Sequence, residues 1–316
     1  MATDTCVWSN LFDDNERVAL QDGFTTGGLI SVILSAWLNL TLLVSNLRHD
    51  RSYNNLANFT LAACIRRIVP VMAHLPFVKY TESSYGLQEQ FCDFFAFMET
   101  FLAVFEVECL THVCIERYVV AKYTANGWTI KENHYTLFLY LCVFFSVLYS
   151  YPPLIGLGRY GFDFSCTSCT FDIVLPEVVW QKYIVVTIFA LRSIKPAVFM
   201  MMMLIWARIL EAKETSVLEI TRRNSQFTRS VIAVTIVNLV CWTPIALIRG
   251  WVVFSFLVYI DPLEVISALC IKWAMWIHWI SPSLTVITLL LVDDRLRHNM
   301  IYFTTNEDCD KNVKED

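Results

Sequence analysis

The chain has 316 residues, of which 56% are hydrophobic and 17% are charged, with a net charge of −5 and a mean hydropathy of +0.50. A soluble domain of this length needs far more polar surface, so the composition excludes an ordinary soluble protein and predicts a membrane protein. The small acidic charge includes no basic stripe, which makes nucleic acid a poor candidate partner.

Apolar segments of bilayer-spanning length recur along the chain. A spanning helix needs roughly 20 mostly apolar residues, and seven segments meet this requirement: 25–46, 55–77, 91–121, 135–156, 179–208, 227–254 and 264–292. We therefore predict an all-α membrane protein built as a seven-transmembrane helix bundle. Its parts are an N-terminal segment 1–24, a membrane domain 25–292 and a tail 293–316.

Basic residues predict the orientation of the bundle, because cytoplasmic loops of membrane proteins are enriched in lysine and arginine. An external N-terminus places ten basic residues on the inner side: Arg48, Arg51, Lys122, Lys131, Arg208, Lys213, Arg222, Arg223, Arg295 and Arg297. The first 20 residues lack the pattern of a cleavable signal peptide. We expect a multi-pass protein of the plasma membrane, with its N-terminus outside, its C-terminus in the cytoplasm and membrane lipid around it.

Two short motifs carry functional information. One lies at the end of the third segment and the other lies within the sixth. Glu116-Arg117-Tyr118 is an acid–arginine–tyrosine triplet in which Glu116 can hold Arg117. Taken alone, the triplet also fits a pair that snorkels to the headgroups. The run Cys241-Trp242-Thr243-Pro244 places a helix-kinking proline beside a tryptophan. Prolines also interrupt the fifth and seventh segments, at Pro196 and Pro282.

In this order, these motifs resemble the rhodopsin-like, or class A, G-protein-coupled receptors. The resemblance implies a receptor and not an enzyme, with a heterotrimeric G protein and a small-molecule ligand as partners. It assigns G-protein coupling to Glu116, Arg117 and Tyr118, and the conformational switch to Trp242, Pro244 and Pro282. It also implies a disulfide between Cys92 and Cys169, which leaves Cys166 unpaired.

The segment after the fourth span narrows the resemblance. Pro152-Pro153-Leu154-Ile155-Gly156-Leu157-Gly158-Arg159-Tyr160, followed by Ser168-Cys169-Thr170-Phe171-Asp172, is similar to the corresponding loop of animal opsins. Asp163 falls where many opsins keep a glutamate near the chromophore. The chain thus resembles the opsin-related branch of the family, and in particular the opsin-like serpentine receptors of nematodes.

The attachment lysine of an opsin has two alternative registers here. Counting from Trp242 places Lys272 within one residue of the opsin position, whereas counting back from Pro282 places Met275 there. We favour the second register, because helices absorb insertions less readily than loops do. Retinal at Lys272 is therefore kept as an alternative cofactor, and the leading hypothesis has none.

Other family positions have changed, and new charges appear inside the spans. The motif at the end of the seventh span reads Ser281-Pro282-Ser283-Leu284-Thr285, without its tyrosine, and Asn224 replaces an acid that would hold Arg117. A charge within a membrane helix costs at least about 2.5–3.5 kcal/mol, so partners are expected. We predict that Glu106 pairs with Arg66 or Arg67.

The leading hypothesis is an opsin-related chemoreceptor with its ligand between the third, fifth, sixth and seventh spans. The candidate pocket residues are Glu99, Arg192, Trp242, Lys272 and Met275. Glu99 can hold a cationic ligand, serve as counterion to Lys272, or neutralise Arg192, and the last option is favoured. A retinal photopigment or photoisomerase that uses Lys272, and a non-signalling membrane scaffold, are the alternatives. A transporter is disfavoured, because no inverted repeat is visible.

Overall fold

A computed structural model describes residues 30–34, 36, 37, 40, 54–73, 85–123, 131–164, 169–173, 179–213, 219–258, 267–294 and 297. The helical elements are α1 (helical residues 30–34, 36, 37 and 40), α2 (Asn54–Ala73), α3 (Tyr85–Tyr123), α4 (Glu132–Ser150), α5 (Val179–Lys213), α6 (Glu219–Val258) and α7 (Ala268–Val292). They follow the seven predicted segments in order, so the predicted seven-helix bundle is confirmed. The segment 1–24, the tail beyond 297 and the side chain of Arg67 lie outside the described residues.

Helix α4 is shorter than the predicted segment, because two prolines follow it. The sequence predicts one helix over 135–156, but α4 ends at Ser150, before Pro152 and Pro153. A proline removes a backbone donor and clashes with the preceding turn. The chain instead forms a 3-10 helix, Pro152–Ile155, which ends at Gly156 with a φ of 80° that glycine adopts without strain.

The surface of the bundle matches a lipid environment. Four of the described helices, α4 to α7, are long and apolar enough to cross a bilayer by length and composition. Many large apolar side chains point outward, among them Ile194, Val198, Val240, Leu247 and Leu291. Exposed apolar area on this scale is unfavourable in water and is expected against lipid.

Helix α3 is central to the packing of the bundle, because it contacts α2, α4 and α5. Helix α6 packs against α7. One buried apolar cluster includes Leu110, Val113, Met200 and Val231. A second cluster joins α5, α6 and α7 to the hairpin that follows α4 and includes Val185.

That hairpin pairs β1 (Tyr160–Phe162) with β2 (Cys169–Phe171) in antiparallel register. A disulfide between Cys92 and Cys169 fastens β2 to α3, as predicted, with the two Cα atoms 5.5 Å apart. The Tyr160 hydroxyl donates to the Ser150 carbonyl, and burial raises the pKa of this phenol above its ordinary value. We call this end of the bundle the disulfide end, and the opposite one the Arg117 end.

Candidate functional site

Two neighbouring cavities lie inside the bundle towards the disulfide end. The larger cavity, of ≈ 140 Å³, lies between α3, α5 and α6, and Trp242 and Met200 line it. The smaller cavity, of ≈ 50 Å³, extends to the hairpin residues Cys169 and Thr170. Both cavities share four lining residues: Arg66, Ile245, Arg249 and His278. The two spaces therefore meet at a level with three ionisable side chains.

The predicted pocket residues are distributed unevenly around these cavities. Arg192 and Trp242 line the larger cavity, whereas Glu99 and Met275 line the smaller one. Lys272 is exposed and lines neither. The structure thus brings four of the five residues to one region and places the fifth outside it.

A buried ionic network crosses the wall of the smaller cavity. Arg66 Nη1 lies 3.0 Å from Glu106 Oε2, and Arg66 Nη2 lies 2.8 Å from Glu99 Oε1. Arg66 Nη2 also lies 3.1 Å from His278 Nε2, which must accept because a guanidinium only donates. Thr170 donates to the second oxygen of Glu99 at 3.2 Å. The carboxylate of Glu99 is therefore hydrogen-bonded by Arg66 and the hairpin, and Arg192 forms no direct ion pair with it.

Another ion pair balances a second buried acid of α3. Lys195 Nζ lies 3.0 Å from Glu108 Oε1, which joins α5 to α3. The Lys195 ammonium also lies 4.9 Å from the centre of the Phe145 ring. This pair lies outside the lining of both cavities and accounts for two of the charges that the sequence places within spans.

Two arginines of the larger cavity, Arg192 and Arg249, differ from Arg66 in that they form no ion pair with any described residue. Arg192 and Arg249 have no carboxylate oxygen within 4.0 Å in the part of the chain that the structure describes. The Arg192 guanidinium lies 5.5 Å from the centre of the Phe171 ring. Neither Arg249 nor His278 was predicted from the sequence. The usable signal for Arg249 was a charge inside the apolar sixth span.

Trp242 connects the larger cavity to the core of the bundle. It lines the cavity and packs against the cluster that contains Met200 and Val231. Its indole Nε1 is buried without a hydrogen-bond partner among the described residues. Pro244, two residues further along α6, interrupts the helical hydrogen bonds at the same level. A ligand in the cavity therefore meets a side chain at a weak point of α6.

The Arg117 end carries a second buried polar group. Arg117 and Glu116 form an ion pair in which both side chains are buried. The Tyr135 hydroxyl donates to Glu116 at 3.5 Å, and the Arg117 guanidinium lies 4.4 Å from the centre of the Phe227 ring of α6. The side chain of Asn224 lies outside the described residues. An aromatic contact to α6 thus accompanies Arg117 where the family resemblance suggested an acid.

The changed motif of α7 forms its own link to α6. Thr285 donates to the Ser281 carbonyl at 2.8 Å and accepts from Asn238 Nδ2 at 2.9 Å. Nearer the Arg117 end, Ser230 donates to the buried carboxylate of Asp293 at 3.2 Å. Neither Asn238 nor Asp293 was predicted from the sequence, because each contact depends on helix orientation.

Comparison with known proteins adds a family assignment to this geometry. Residues 38–285 match the family model described as the seven-transmembrane receptor, rhodopsin family. Among solved structures, the fold is similar to the crystal structure of squid rhodopsin, with a TM-score of 0.74, 13% identity, and coverage of 98% of this chain and 94% of that one. At this identity, the similarity to squid rhodopsin concerns the fold alone.

Curated relatives of the sequence are rhodopsins and other opsins. The chain is 28% identical over 167 residues to a rhodopsin of Psalidodon fasciatus, covering 51% of this chain and 47% of that protein. It is 24% identical over 229 residues to the GQ-coupled rhodopsin of Mizuhopecten yessoensis, covering 67% and 42%. A pineal opsin of Petromyzon marinus is 24% identical over 241 residues, with coverage of 75% and 54%. The matches thus span about half the length of these relatives.

Proposed function

The chain belongs to the rhodopsin family of seven-transmembrane receptors, and we propose that it transduces a diffusible small-molecule signal to a heterotrimeric G protein. The family consists of signalling receptors and not enzymes. The seven-helix fold with its apolar helices makes this chain a multi-pass protein of the plasma membrane. We further propose the family orientation, with the disulfide end outside and the Arg117 end in the cytoplasm. This orientation agrees with the distribution of basic residues.

The observation that carries the proposal is that one helix contacts both functional ends. Trp242 of α6 lines the larger cavity, and Phe227 of the same helix lies against Arg117. These residues are separated by roughly 22 Å along the helix axis at the α-helical rise. A ligand that repacks Trp242 shifts α6 at Pro244, which withdraws Phe227 from Arg117. The released guanidinium then becomes available to the G protein.

Retinal does not fit the described cavities as a covalently bound cofactor. A Schiff base needs a lysine amine at the chromophore. None of the described residues that line the two cavities is a lysine, and Lys272 is exposed. We therefore assign the chain a freely diffusing ligand, and no step of the proposed mechanism uses retinal.

The test is G-protein activation in membranes that contain the wild-type receptor or one of three variants. Binding of a labelled, non-hydrolysable GTP analogue is measured with each G-protein class, with and without a mixed small-molecule library. We expect activity in the wild type, loss in Arg117→Ala, and loss of ligand response in Trp242→Ala. Arg297→Ala is the matched control, because Arg297 is exposed beyond α7. A wild-type signal equal to that of Arg117→Ala throughout contradicts the proposal and favours a scaffold.

A further inference from the structure

We propose that the larger cavity binds the anionic group of a small organic acid through Arg192 and Arg249. This inference deepens the function proposed above and rests on it for the signalling role of the site. It concerns the chemical class of the ligand. The sequence alone also allows Glu99 to hold a cationic ligand, which is the opposite charge.

The larger cavity is lined by two arginines that form no ion pair with any described residue. Arg192 and Arg249 both line the larger cavity, and neither donates to a described carboxylate within 4.0 Å. A charge at membrane depth is unfavourable unless it is paired or hydrated. Two guanidinium groups in one cavity also repel each other. An anion between them removes both penalties.

Two acids near the larger cavity, Glu99 and Glu106, already have partners. Glu99 accepts from Arg66 with one oxygen and from Thr170 with the other. Glu106 is fully buried and faces Arg66 at 3.0 Å. Neither of them lines the larger cavity. Arg249 also lines the smaller cavity, where Glu99 and Asp163 are found. The larger cavity, which Arg192 and Arg249 share, has no carboxylate in its described lining.

The rest of the lining of the larger cavity is mainly apolar. Apolar side chains from α3, α5 and α6 form most of the wall: Ala103, Val104, Val107, Ala197, Met200, Leu239, Trp242, Ile245 and Ala246. A hydrated inorganic ion gains nothing from such a wall, whereas a short hydrocarbon or an aromatic ring buries apolar area against it. Guanidinium groups bind carboxylates with paired, charge-assisted hydrogen bonds. The cavity therefore fits a carboxylate with a small apolar body.

The orientation of that ligand follows from the lining. With the carboxylate at Arg192 and Arg249, the apolar body lies towards Met200 and Trp242. This places the ligand against the indole at the level of Pro244. Binding of the acid and displacement of α6 are thus linked through direct contact.

The experiment measures ligand-induced thermal stabilisation of the full-length receptor in phosphatidylcholine nanodiscs, whose lipid has no net charge. The probes are butanoate, hexanoate and phenylacetate, each beside its neutral amide and its corresponding amine. We expect at least one acid to raise the melting temperature and to bind at least tenfold more tightly than its amide or amine. Inorganic phosphate and chloride, tested separately, should leave the melting temperature unchanged.

Variants identify the residues that bind the acid. Arg192→Gln and Arg249→Gln should each weaken acid binding about 10- to 100-fold, the effect of losing a hydrogen bond to a charged group. Their melting temperatures without acid should equal or exceed that of the wild type, because an unpaired charge has been removed. Arg249→Lys should bind with intermediate affinity, since it keeps the charge but loses the planar donor pair. Arg297→Gln, an identical substitution at an exposed site, should bind as the wild type does.

Four results on ligand binding overturn the assignment. They are equal binding of an acid and its amide, preference for an amine, unaltered acid binding in both Gln variants, or no stabilisation by any of the three acids. Gln variants that lose stability without acid would instead make the two arginines structural and also overturn it. Acid binding without activation of any G protein supports the anion site and contradicts the proposed signalling function, so the two proposals fail separately.

Discussion

Arg66 Nη1 lies 3.0 Å from Glu106 Oε2, and this ion pair joins α2 to α3 where both side chains are buried. Arg66 also binds Glu99 at 2.8 Å, so one guanidinium serves two carboxylates of the same helix. Glu99 and Glu106 are seven residues apart and hence lie on one face of α3. A single cation from α2 therefore fixes the relative rotation of the two helices.

The first prediction concerns this pair. Glu106→Gln should lower the free energy of unfolding by about 3 kcal/mol, because breaking a buried ion pair leaves an uncompensated charge. The effect should lie at the lower end of the usual range, since Arg66 keeps Glu99. The measurement is the thermal or denaturant midpoint of the purified receptor together with its surface expression.

Asp294→Asn is the matched control for Glu106→Gln. Asp294 is exposed and pairs with Arg297 across one helical turn, so the same carboxylate-to-amide change should alter stability by less than about 1 kcal/mol. Unchanged stability and surface expression in Glu106→Gln would mean that the pair contributes nothing to the fold.

The sequence was sufficient to predict that Glu106 has an arginine partner, but not to choose between Arg66 and Arg67. Adjacent residues of a helix point about 100° apart, so the choice depends on the rotation of α2, which only tertiary packing determines. Arg249 was missed for a related reason. A charge in an apolar segment signals a partner or a function, but the segment alone does not tell whether it faces lipid, another helix or a cavity.

The second prediction concerns the disulfide end. Cys169→Ala should release β2 from α3 and destabilise the receptor by about 2–5 kcal/mol. Because Thr170 binds Glu99 beside this disulfide, the variant should also lose ligand response. Receptor melting temperature and ligand-dependent nucleotide binding are the measurements. Cys270→Ala, which changes an exposed free cysteine, is the control and should behave as the wild type.

Whether Lys272 faces the cavities could be predicted from the sequence only by choosing between two registers of the seventh span. The two alternative alignments differed by the three residues between Lys272 and Met275, and that difference decides whether a lysine faces the cavity. In the folded chain Met275 lines the smaller cavity, and Lys272 is exposed. The Pro282 register therefore agrees with the position of the cavity, because the proline and the lining residues belong to one continuous helix, α7.

The third prediction follows from the position of Lys272. Purified receptor mixed with 11-cis-retinal in darkness should give the spectrum of free retinal, without a visible band, and Lys272→Ala should give the same spectrum. A rhodopsin regenerated in parallel shows that the retinal is competent. A visible band in the wild type that disappears in Lys272→Ala would establish a photopigment and contradict both the cavity assignment and the diffusible ligand.

The fourth prediction tests the contact between Arg117 and Phe227. The guanidinium lies 4.4 Å from the ring centre, and a cation–π contact away from water is worth roughly 2 kcal/mol. If this contact holds α6 in the resting position, Phe227→Ala should raise basal nucleotide exchange by at most about 30-fold, since ~1.4 kcal/mol corresponds to tenfold. Basal binding of the labelled GTP analogue, normalised to surface expression, is the measurement.

Phe254→Ala is the control for Phe227→Ala, because Phe254 lies on the same helix with an exposed side chain. It should leave basal exchange unchanged. The double variant Arg117→Ala/Phe227→Ala should fall to the level of Arg117→Ala, since the ring acts only by restraining the guanidinium. Basal exchange in Phe227→Ala that equals the wild type would assign the ring to packing with the core around Val231.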